Sequence, residues 1–229
     1  MKIGKMINFK QLLKGILIFI LFYYSSLVQL IPIYLFNLNI ESQKIQVILS
    51  TFSNLVLLII LILIYKKELK KEWFKFKDKF ITNIDIGIKY WLIGLFLMMI
   101  SNIILNFLVK AGGAANEKSV QEMIKCLPWL MLISAGIIAP INEEIVFRKA
   151  FKNTFLKKWL FVLMSGLVFG ALHVITSYKT PIELLYIIPY SSLGISFALM
   201  YSKTDTIYTS ISMHMLHNLI LTTLSIIAL

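Results

Sequence analysis

The chain has 229 residues, of which 59% are hydrophobic and only 15% charged, with 23 Lys and Arg against 11 Asp and Glu. This composition excludes an ordinary soluble domain and predicts a single polytopic membrane domain over residues 1–229. The single Cys126 excludes an intramolecular disulfide framework. The excess of basic residues falls in short segments between apolar runs, a pattern that argues against nucleic-acid binding.

Apolar segments long enough to cross a bilayer, which needs about 20 residues, recur along the whole chain. They predict an all-α, polytopic membrane helix bundle of about seven transmembrane helices. Four lysines precede the first segment as in a signal peptide, but no small-residue cleavage pattern follows, so we expect an uncleaved span. The predicted helices cover residues 12–35, 46–65, 86–109, 127–152, 159–176, 182–201 and 206–228.

Basic residues mark one side of the predicted bundle. If the helices alternate in direction, most Lys and Arg residues share a side with the N-terminus and with residues 66–85. By the positive-inside rule we predict a multi-pass membrane protein with a cytoplasmic N-terminus. Lys66 to Phe80 holds seven lysines. We interpret this stretch as part of a basic cytoplasmic loop, residues 66–85, with an interfacial amphipathic helix on anionic lipid as the alternative.

Two glycine patterns indicate local structure. The longest external connection runs from Lys110 to Lys125 and contains Gly112 and Gly113, which predicts a flexible loop or lid. In the fifth predicted helix, residues 166 and 170 are both glycine, a spacing that permits close helix packing.

Two adjacent carboxylates and an arginine interrupt the fourth apolar segment, where charge is unfavourable unless it is paired or functional. Glu144 and Arg148 are four residues apart and predicted to pair on one helix face. Glu143 points about 100° away from the face shared by Glu144 and Arg148, so its carboxylate is left free to act in a reaction. Pro140 cannot donate to the carbonyl of Gly136, so we expect a kink and water beside Glu143.

All three histidines also lie inside predicted spans. His214 and Asn218 are four residues apart on the seventh helix and share a face. We interpret His217 as an interhelical hydrogen-bonding group. His173 and His214 are predicted to join Glu143 in one polar centre built from three helices, although counting residues places His173 about two helical turns deeper than the other two.

Three spaced motifs follow one another on the late helices: Glu143-Glu144-x-x-x-Arg148, Phe169-x-x-x-His173 and His214-x-x-x-Asn218. They resemble the motifs of the CAAX protease and bacteriocin-processing family of intramembrane proteases, also called the abortive infection family, which is similar to type II CAAX prenyl endopeptidases. The resemblance covers about 127–229, the predicted catalytic core. The helices within 1–110 are similar to the family only in being hydrophobic, and some members have an eighth helix.

The resemblance implies an intramembrane endopeptidase that hydrolyses a peptide bond in a membrane-associated peptide or protein. It implies that Glu143 activates water held with the help of His173, that Glu144–Arg148 is a structural pair, and that His214 and Asn218 steady the oxyanion. Bacterial members are associated with pheromone or bacteriocin maturation and with self-immunity. Eukaryotic relatives cut prenylated tails, but nothing in this chain implies a prenylated substrate.

The metal requirement is open at this point. Glu143, His173 and His214 could hold zinc with water in the fourth position. The chain lacks the His-Glu-x-x-His helix of zinc proteases, however, and Asn218 is a poor zinc ligand. We therefore favour a glutamate mechanism that requires no cofactor and keep a zinc-dependent one as the alternative.

Two non-protease hypotheses also stand. One is a non-catalytic membrane scaffold or an immunity or regulatory protein of the same fold. The other is a proton-coupled transporter with a Glu/His relay, although the chain lacks the paired broken helices and internal symmetry of such carriers. The expected partners are a membrane-associated peptide or protein substrate and the lipid bilayer, with the oligomeric state left open.

Overall fold

A computed structural model describes residues 6–109 and 114–229. Within these ranges the regular elements are helices, and the extended backbone is limited to an isolated bridge between Ile7 and Phe155. The predicted all-α, polytopic bundle is confirmed. The bridge and a hydrogen bond from the Asn8 backbone N–H to the Thr154 carbonyl (2.9 Å) attach the start of the chain to the loop after the fourth predicted span.

The helices follow one another with short connections. α1 and α2 are separated by a 3-10 turn, Ser25–Gln29, and a second 3-10 turn, Pro181–Tyr186, precedes α8. In chain order the helices are α1 (Phe9–Tyr23), α2 (Leu30–Phe36), α3 (Gln43–Asp78), α4 (Phe80–Val109), α5 (Ala115–Cys126), α6 (Pro128–Thr154), α7 (Lys158–Ile175), α8 (Ile187–Thr204) and α9 (Ile207–Ile227).

Six helical segments in the described part of the chain are long and apolar enough to cross a membrane. A seventh is present if the pair Phe9–Tyr23 and Ser25–Phe36, bent by 47°, counts as one span. This pair occupies the position of the first predicted helix, residues 12–35. The structure therefore gives six spans, or seven as predicted when the bent pair crosses the membrane as a unit.

The basic segment 66–85 is not the loop that we predicted. Residues 66–78 continue α3 and residues 80–85 begin α4, so only Lys79 separates the two helices. α3 has 36 residues and is about 54 Å long, whereas the hydrocarbon core of a bilayer is about 30 Å thick. Its last turns can therefore stand outside the membrane, and lysine and glutamate favour helix there because they lose little side-chain freedom in one.

The predicted flexible connection, residues 110–125, is also largely helical. Residues 110–113, including Gly112 and Gly113, lie outside the described residues. From Ala115 the chain forms α5, whose Ile124 is buried in an apolar cluster with Val47 of α3 and Met131 of α6. Because α5 is anchored by this cluster, the loop prediction is wrong for residues 115–125.

The largest buried apolar cluster joins the late helices to α1 and α3. It contains a continuous row on α3, formed by Leu57, Leu61, Tyr65 and Leu69, that packs against α6 through α9. Its remaining members are Ile18, Ile145, Val146, Phe147, Ala150, Phe161, Phe169, Ala198, Tyr201, Ile207 and Ile211.

Glycines allow α7 and α8 to approach backbone to backbone. A methyl group at Gly166 would lie 2.8 Å from the backbone N of Ile195, and one at Gly170 would lie 2.6 Å from that of Ser191. The close packing predicted from these two glycines is confirmed. It fixes the position of His173, which follows Gly170 on α7, relative to α8.

We predict that Gly170→Leu lowers the free energy of unfolding by about 3 kcal/mol, because the backbone of Ile187 and Ser191 as well as the Ser191 side chain occupies the space. The measurement is the thermal unfolding midpoint of detergent-solubilised protein. Leu167→Phe is the control, since Leu167 lies on the same helix and is 41% exposed. Equal midpoints for the two variants would contradict the close-packing interpretation.

Candidate active site

Three helices bring Glu143, His173 and His214 together at one point. Glu143 Oε2 lies 3.6 Å from His214 Nε2 and 3.8 Å from His173 Nε2. The side chains of Glu143 and His173 are 16% and 21% exposed, so a small molecule can reach the point where they meet. The structure thus forms the predicted polar centre. Counting residues from the helix ends had placed His173 two turns away, and the structure shows no such separation.

Each of the two imidazoles is held at Nδ1. His173 Nδ1 lies 2.9 Å from the carbonyl oxygen of Phe169, and His214 Nδ1 lies 3.0 Å from Glu144 Oε1. A carbonyl or an ionised carboxylate only accepts hydrogen bonds, so Nδ1 is the protonated nitrogen of each ring. In the neutral imidazoles, Nε2 then carries a lone pair, and both lone pairs are on the side of Glu143.

The consequence is a group of hydrogen-bond acceptors without a donor of its own. Two Nε2 lone pairs and a carboxylate oxygen cannot bond to one another, and their separations exceed those of direct hydrogen bonds. Water is the smallest group that donates hydrogen bonds, and its two O–H groups can satisfy two of these three acceptors at a time. The arrangement is therefore suited to holding a water molecule against Glu143.

The Glu144–Arg148 ion pair predicted from the sequence is present. Arg148 Nε lies 3.4 Å from Glu144 Oε2 within a π-helical turn, Glu144–Lys149, and both side chains are fully buried. Arg148 Nη1 also donates to Ser165 Oγ at 3.1 Å, and its guanidinium lies 4.7 Å from the Phe169 ring centroid. Since Glu144 accepts from His214 as well, the pair fixes one of the two histidines.

Asn218 contacts α6 rather than the other candidate residues. Its Nδ2 donates to the Ala135 carbonyl at 2.9 Å. In a π helix an N–H donates to the carbonyl five residues earlier, and at the π-helical turn Ser134–Ile138 the Ala139 N–H donates to the Ser134 carbonyl. The residue that would donate to the Ala135 carbonyl in this pattern is Pro140, which has no N–H. The freed carbonyl is therefore that of Ala135, not of Gly136 as we predicted, because the π turn shifts the register by one residue.

A second buried ion pair, which the sequence analysis missed, joins α3 to α6. Lys149, the residue after Arg148, donates from Nζ to Glu72 Oε1. The Tyr201 hydroxyl donates to the same oxygen at 2.8 Å, and the backbone N–H of Ile207 donates to Glu72 Oε2 at 2.8 Å. Glu72 therefore connects α3, α6, α8 and the first turn of α9, the helix that carries His214.

The sequence does contain a signal for Glu72. The buried positions of α3 continue past the predicted end of the helix at residue 65, in the series Tyr65, Leu69, Glu72 and Phe76. Spacings of three and four are those of a single helix face. Following this period through the lysine-rich stretch would have predicted a helix with Glu72 on its buried side.

In the described part of the chain, no three His, Cys, Asp or Glu side chains are arranged to hold a metal ion. Glu143, His173 and His214 offer donor types that zinc accepts. At separations of 3.8 and 3.6 Å from Glu143 Oε2, the two Nε2 atoms leave room for a water molecule between them and the carboxylate, and no step proposed below passes through a metal.

Comparison with known proteins finds a family that is similar to the part of the chain carrying the three motifs. Residues 125–220 match the family described as "Type II CAAX prenyl endopeptidase Rce1-like". This part of the chain is similar to the Rce1-like family. The matched segment includes all three motifs, and the family resemblance inferred from them is confirmed.

The chain is also similar to proteins of three bacteria. The chain is 28% identical over 177 residues to the Bacillus subtilis (strain 168) protein named "Putative membrane peptidase YdiL", covering 74% of this chain and 68% of YdiL. It is 26% identical over 171 residues to the UPF0177 protein YxdF of Lactococcus lactis, covering 72% and 89%. An uncharacterized protein of Mycoplasma capricolum is 30% identical over 207 residues, covering 85% and 57%. No solved structure matches the chain.

The family and the name of the Bacillus relative support a membrane protease. Together with the apolar helices, they identify a multi-pass membrane protein.

Removing one member of the buried ion pair should destabilise the protein strongly. We expect Arg148→Met to lower the free energy of unfolding by about 3–5 kcal/mol, because the Glu144 carboxylate is then buried without its cation. The double variant Glu144→Met/Arg148→Met leaves no unpaired charge and should be more stable than Arg148→Met alone. Chemical unfolding in mild detergent measures all three proteins, and a double variant less stable than the single one would refute the pairing.

Proposed function

We propose that this protein is an intramembrane endopeptidase in which Glu143 activates a water molecule for attack on a peptide bond. The observation that carries the proposal is the convergence of Glu143 Oε2 with Nε2 of His173 and of His214, at 3.8 and 3.6 Å. Three acceptors around one partly exposed point bind and orient water, and a carboxylate among them can take its proton.

The proposed reaction begins with water hydrogen-bonded to Glu143 and to Nε2 of His173. Glu143 takes one proton from this water as its oxygen attacks the carbonyl carbon of the scissile bond, which forms a tetrahedral intermediate. The C–N bond then breaks while the proton passes from Glu143 to the leaving nitrogen. The products are a carboxyl group and an amine, and Glu143 returns to its ionised form.

Donors are also needed for the negative charge that develops on the carbonyl oxygen. We propose His214 for this role once its Nε2 has taken a proton from solvent as substrate binds: Nδ1–H still donates to Glu144, and Nε2–H then donates to the oxyanion while Glu143 and His173 hold the water. Asn218 uses one amide N–H on Ala135, and we propose its second N–H as a further donor to the substrate.

The proposed substrate is a membrane-associated peptide or protein, cleaved in the bacterial cell membrane by an enzyme whose N-terminus is cytoplasmic. Maturation of a peptide pheromone or bacteriocin, or self-immunity, is the biological setting that the family resemblance suggests. Nothing in the chain favours a prenylated substrate. The name of the Bacillus relative supports peptide hydrolysis.

We expect Glu143→Gln to reduce cleavage by about 10²–10⁴-fold, because the amide cannot accept the proton from water. The assay uses proteoliposomes of phosphatidylethanolamine and phosphatidylglycerol that contain random decapeptides fused to a single transmembrane helix, with products read by mass spectrometry. Glu183→Gln is the matched control, since Glu183 binds the loop around Lys179 and Thr180. A fully active Glu143→Gln protein would overturn the mechanism.

Metal dependence is tested on the same proteoliposomes. We expect cleavage to be unchanged after treatment with 1,10-phenanthroline and after addition of zinc, because the proposed steps use only side chains and water. Loss of cleavage with the chelator and its recovery with zinc would instead establish the zinc-dependent alternative, with Glu143, His173 and His214 as ligands.

A further inference from the structure

α8 contributes no residue to the three motifs, yet it contacts both histidines of the site. The contacts come from Tyr190 and Phe197, which are seven residues apart and therefore share one face of the helix, about two turns apart. Tyr190 packs on His173, and Phe197 packs on His214.

Both contacts are nearly parallel stacks. The Tyr190 and His173 ring centroids are 5.0 Å apart with an interplanar angle of 27°. The Phe197 and His214 centroids are 4.6 Å apart at 22°. Phe169 touches the same imidazoles at steeper angles, with centroids 4.3 Å from His173 at 43° and 5.8 Å from His214 at 77°. Each imidazole therefore contacts two aromatic rings.

Stacking supplies a restraint that the hydrogen bonds at Nδ1 do not. A single hydrogen bond fixes the position of Nδ1 but leaves the ring free to swing about that point. A parallel aromatic face fixes the plane of the ring. The two restraints together define the direction of Nε2, the atom that lies near Glu143 on each ring.

The backbone holds α8 in the place that these stacks require. Gly194 lies on the same face as Tyr190 and Phe197, and a methyl group there would be 2.9 Å from Phe169 Cδ1. The close approach of α8 to α7 at Gly166 and Gly170 holds the face against the site. The rings of Tyr190 and Phe197 are therefore held against the two histidines by helix packing and not by a loop.

We propose that Tyr190 and Phe197 are positioning residues of the active site: Tyr190 orients Nε2 of His173 toward the water beside Glu143, and Phe197 orients Nε2 of His214 toward the scissile carbonyl that this water attacks. This inference rests on the proposed protease function. Neither ring takes part in proton transfer; each acts through the histidine on which it stacks.

The test replaces each ring by an aliphatic side chain and separates kcat from KM. Tyr190→Leu and Phe197→Leu should each lower kcat by about tenfold to a hundredfold, since misplacement of a catalytic group by about 1 Å has effects of that size. KM should change by less than about threefold, because the substrate-binding surface is retained. Tyr190→Phe keeps the ring and should restore kcat to within about threefold of the wild type.

Phe161→Leu is the control for a merely structural effect. Phe161 is buried and packs edge-on against Tyr201, with centroids 6.1 Å apart at 90°, in the apolar cluster rather than at a histidine. The substrate is the library peptide that the wild-type protein cleaves fastest in the proteoliposomes described above. Rates are expressed per amount of monodisperse, folded protein.

Glu143→Gln, measured in parallel, distinguishes failure of this inference from failure of the proposed function. If Glu143→Gln is inactive while Tyr190→Leu and Phe197→Leu keep the kcat of Phe161→Leu, the positioning role is overturned and the protease remains. If Glu143→Gln is fully active, the proposed mechanism falls, and the positioning role falls with it. If Phe197→Leu does not fold, the comparison of Tyr190→Leu with Tyr190→Phe still decides the outcome.

Discussion

The buried pair of Glu144 and Arg148 is the interaction on which the rest of the structure depends. Two charges removed from water are stable only when their geometry and additional hydrogen bonds compensate for lost hydration. Ser165 supplies one such bond to Arg148, and His214 supplies one to Glu144. Because these partners come from α7 and α9, satisfying the pair holds both helices against α6. The same contact sets the tautomer of His214, so a requirement for burial also determines the chemistry of the site.

Glu72 applies a comparable constraint one residue further along α6. Lys149 follows Arg148 and pairs with Glu72, whose second oxygen accepts the backbone N–H of Ile207. A carboxylate at the first turn of α9 satisfies a donor that the helix itself leaves unpaired and is favoured by the helix dipole. The two ion pairs thus hold α9 at its first turn and again at His214. This double attachment limits how far His214 can move relative to Glu143.

The site could be predicted from spacing because its residues obey simple helix periodicity. Glu144 and Arg148 are four apart, and charged or titratable residues are rare enough in apolar spans that His173 and His214 stood out. The positions of Ala135 and Glu72 could not be obtained in the same way. Ala135 is freed by a π turn, whose register the sequence does not display. Glu72 lies among lysines, where a high density of charge hid the three- and four-residue spacing of a buried face.

The errors in the connections have a related cause. Composition identified residues 66–85 and 110–125 as polar, and polar segments between apolar spans are commonly loops. Polarity, however, does not decide whether a segment is helical. α3 continues because its buried row extends to Phe76, and α5 forms because Ile124 has an apolar cluster to enter. In both cases the apolar contacts of one helix face determined the structure, whereas the average polarity of the whole segment suggested a loop.

Irregular backbone in α6 explains how one helix can carry both buried ion pairs and still place Glu143 beside His173 and His214. π turns occur on both sides of the short α-helical segment Ala139–Glu143. The first frees the Ala135 carbonyl, which binds Asn218 and attaches α9 at a third point. The second contains Arg148, which pairs with Glu144 of the same turn and donates to Ser165 of α7, and Lys149, which pairs with Glu72 of α3. Such turns are energetically unfavourable in isolation and occur frequently at functional sites. Here each is stabilised by a side chain from a neighbouring helix, so the irregularity and the arrangement of helices around Glu143 depend on each other.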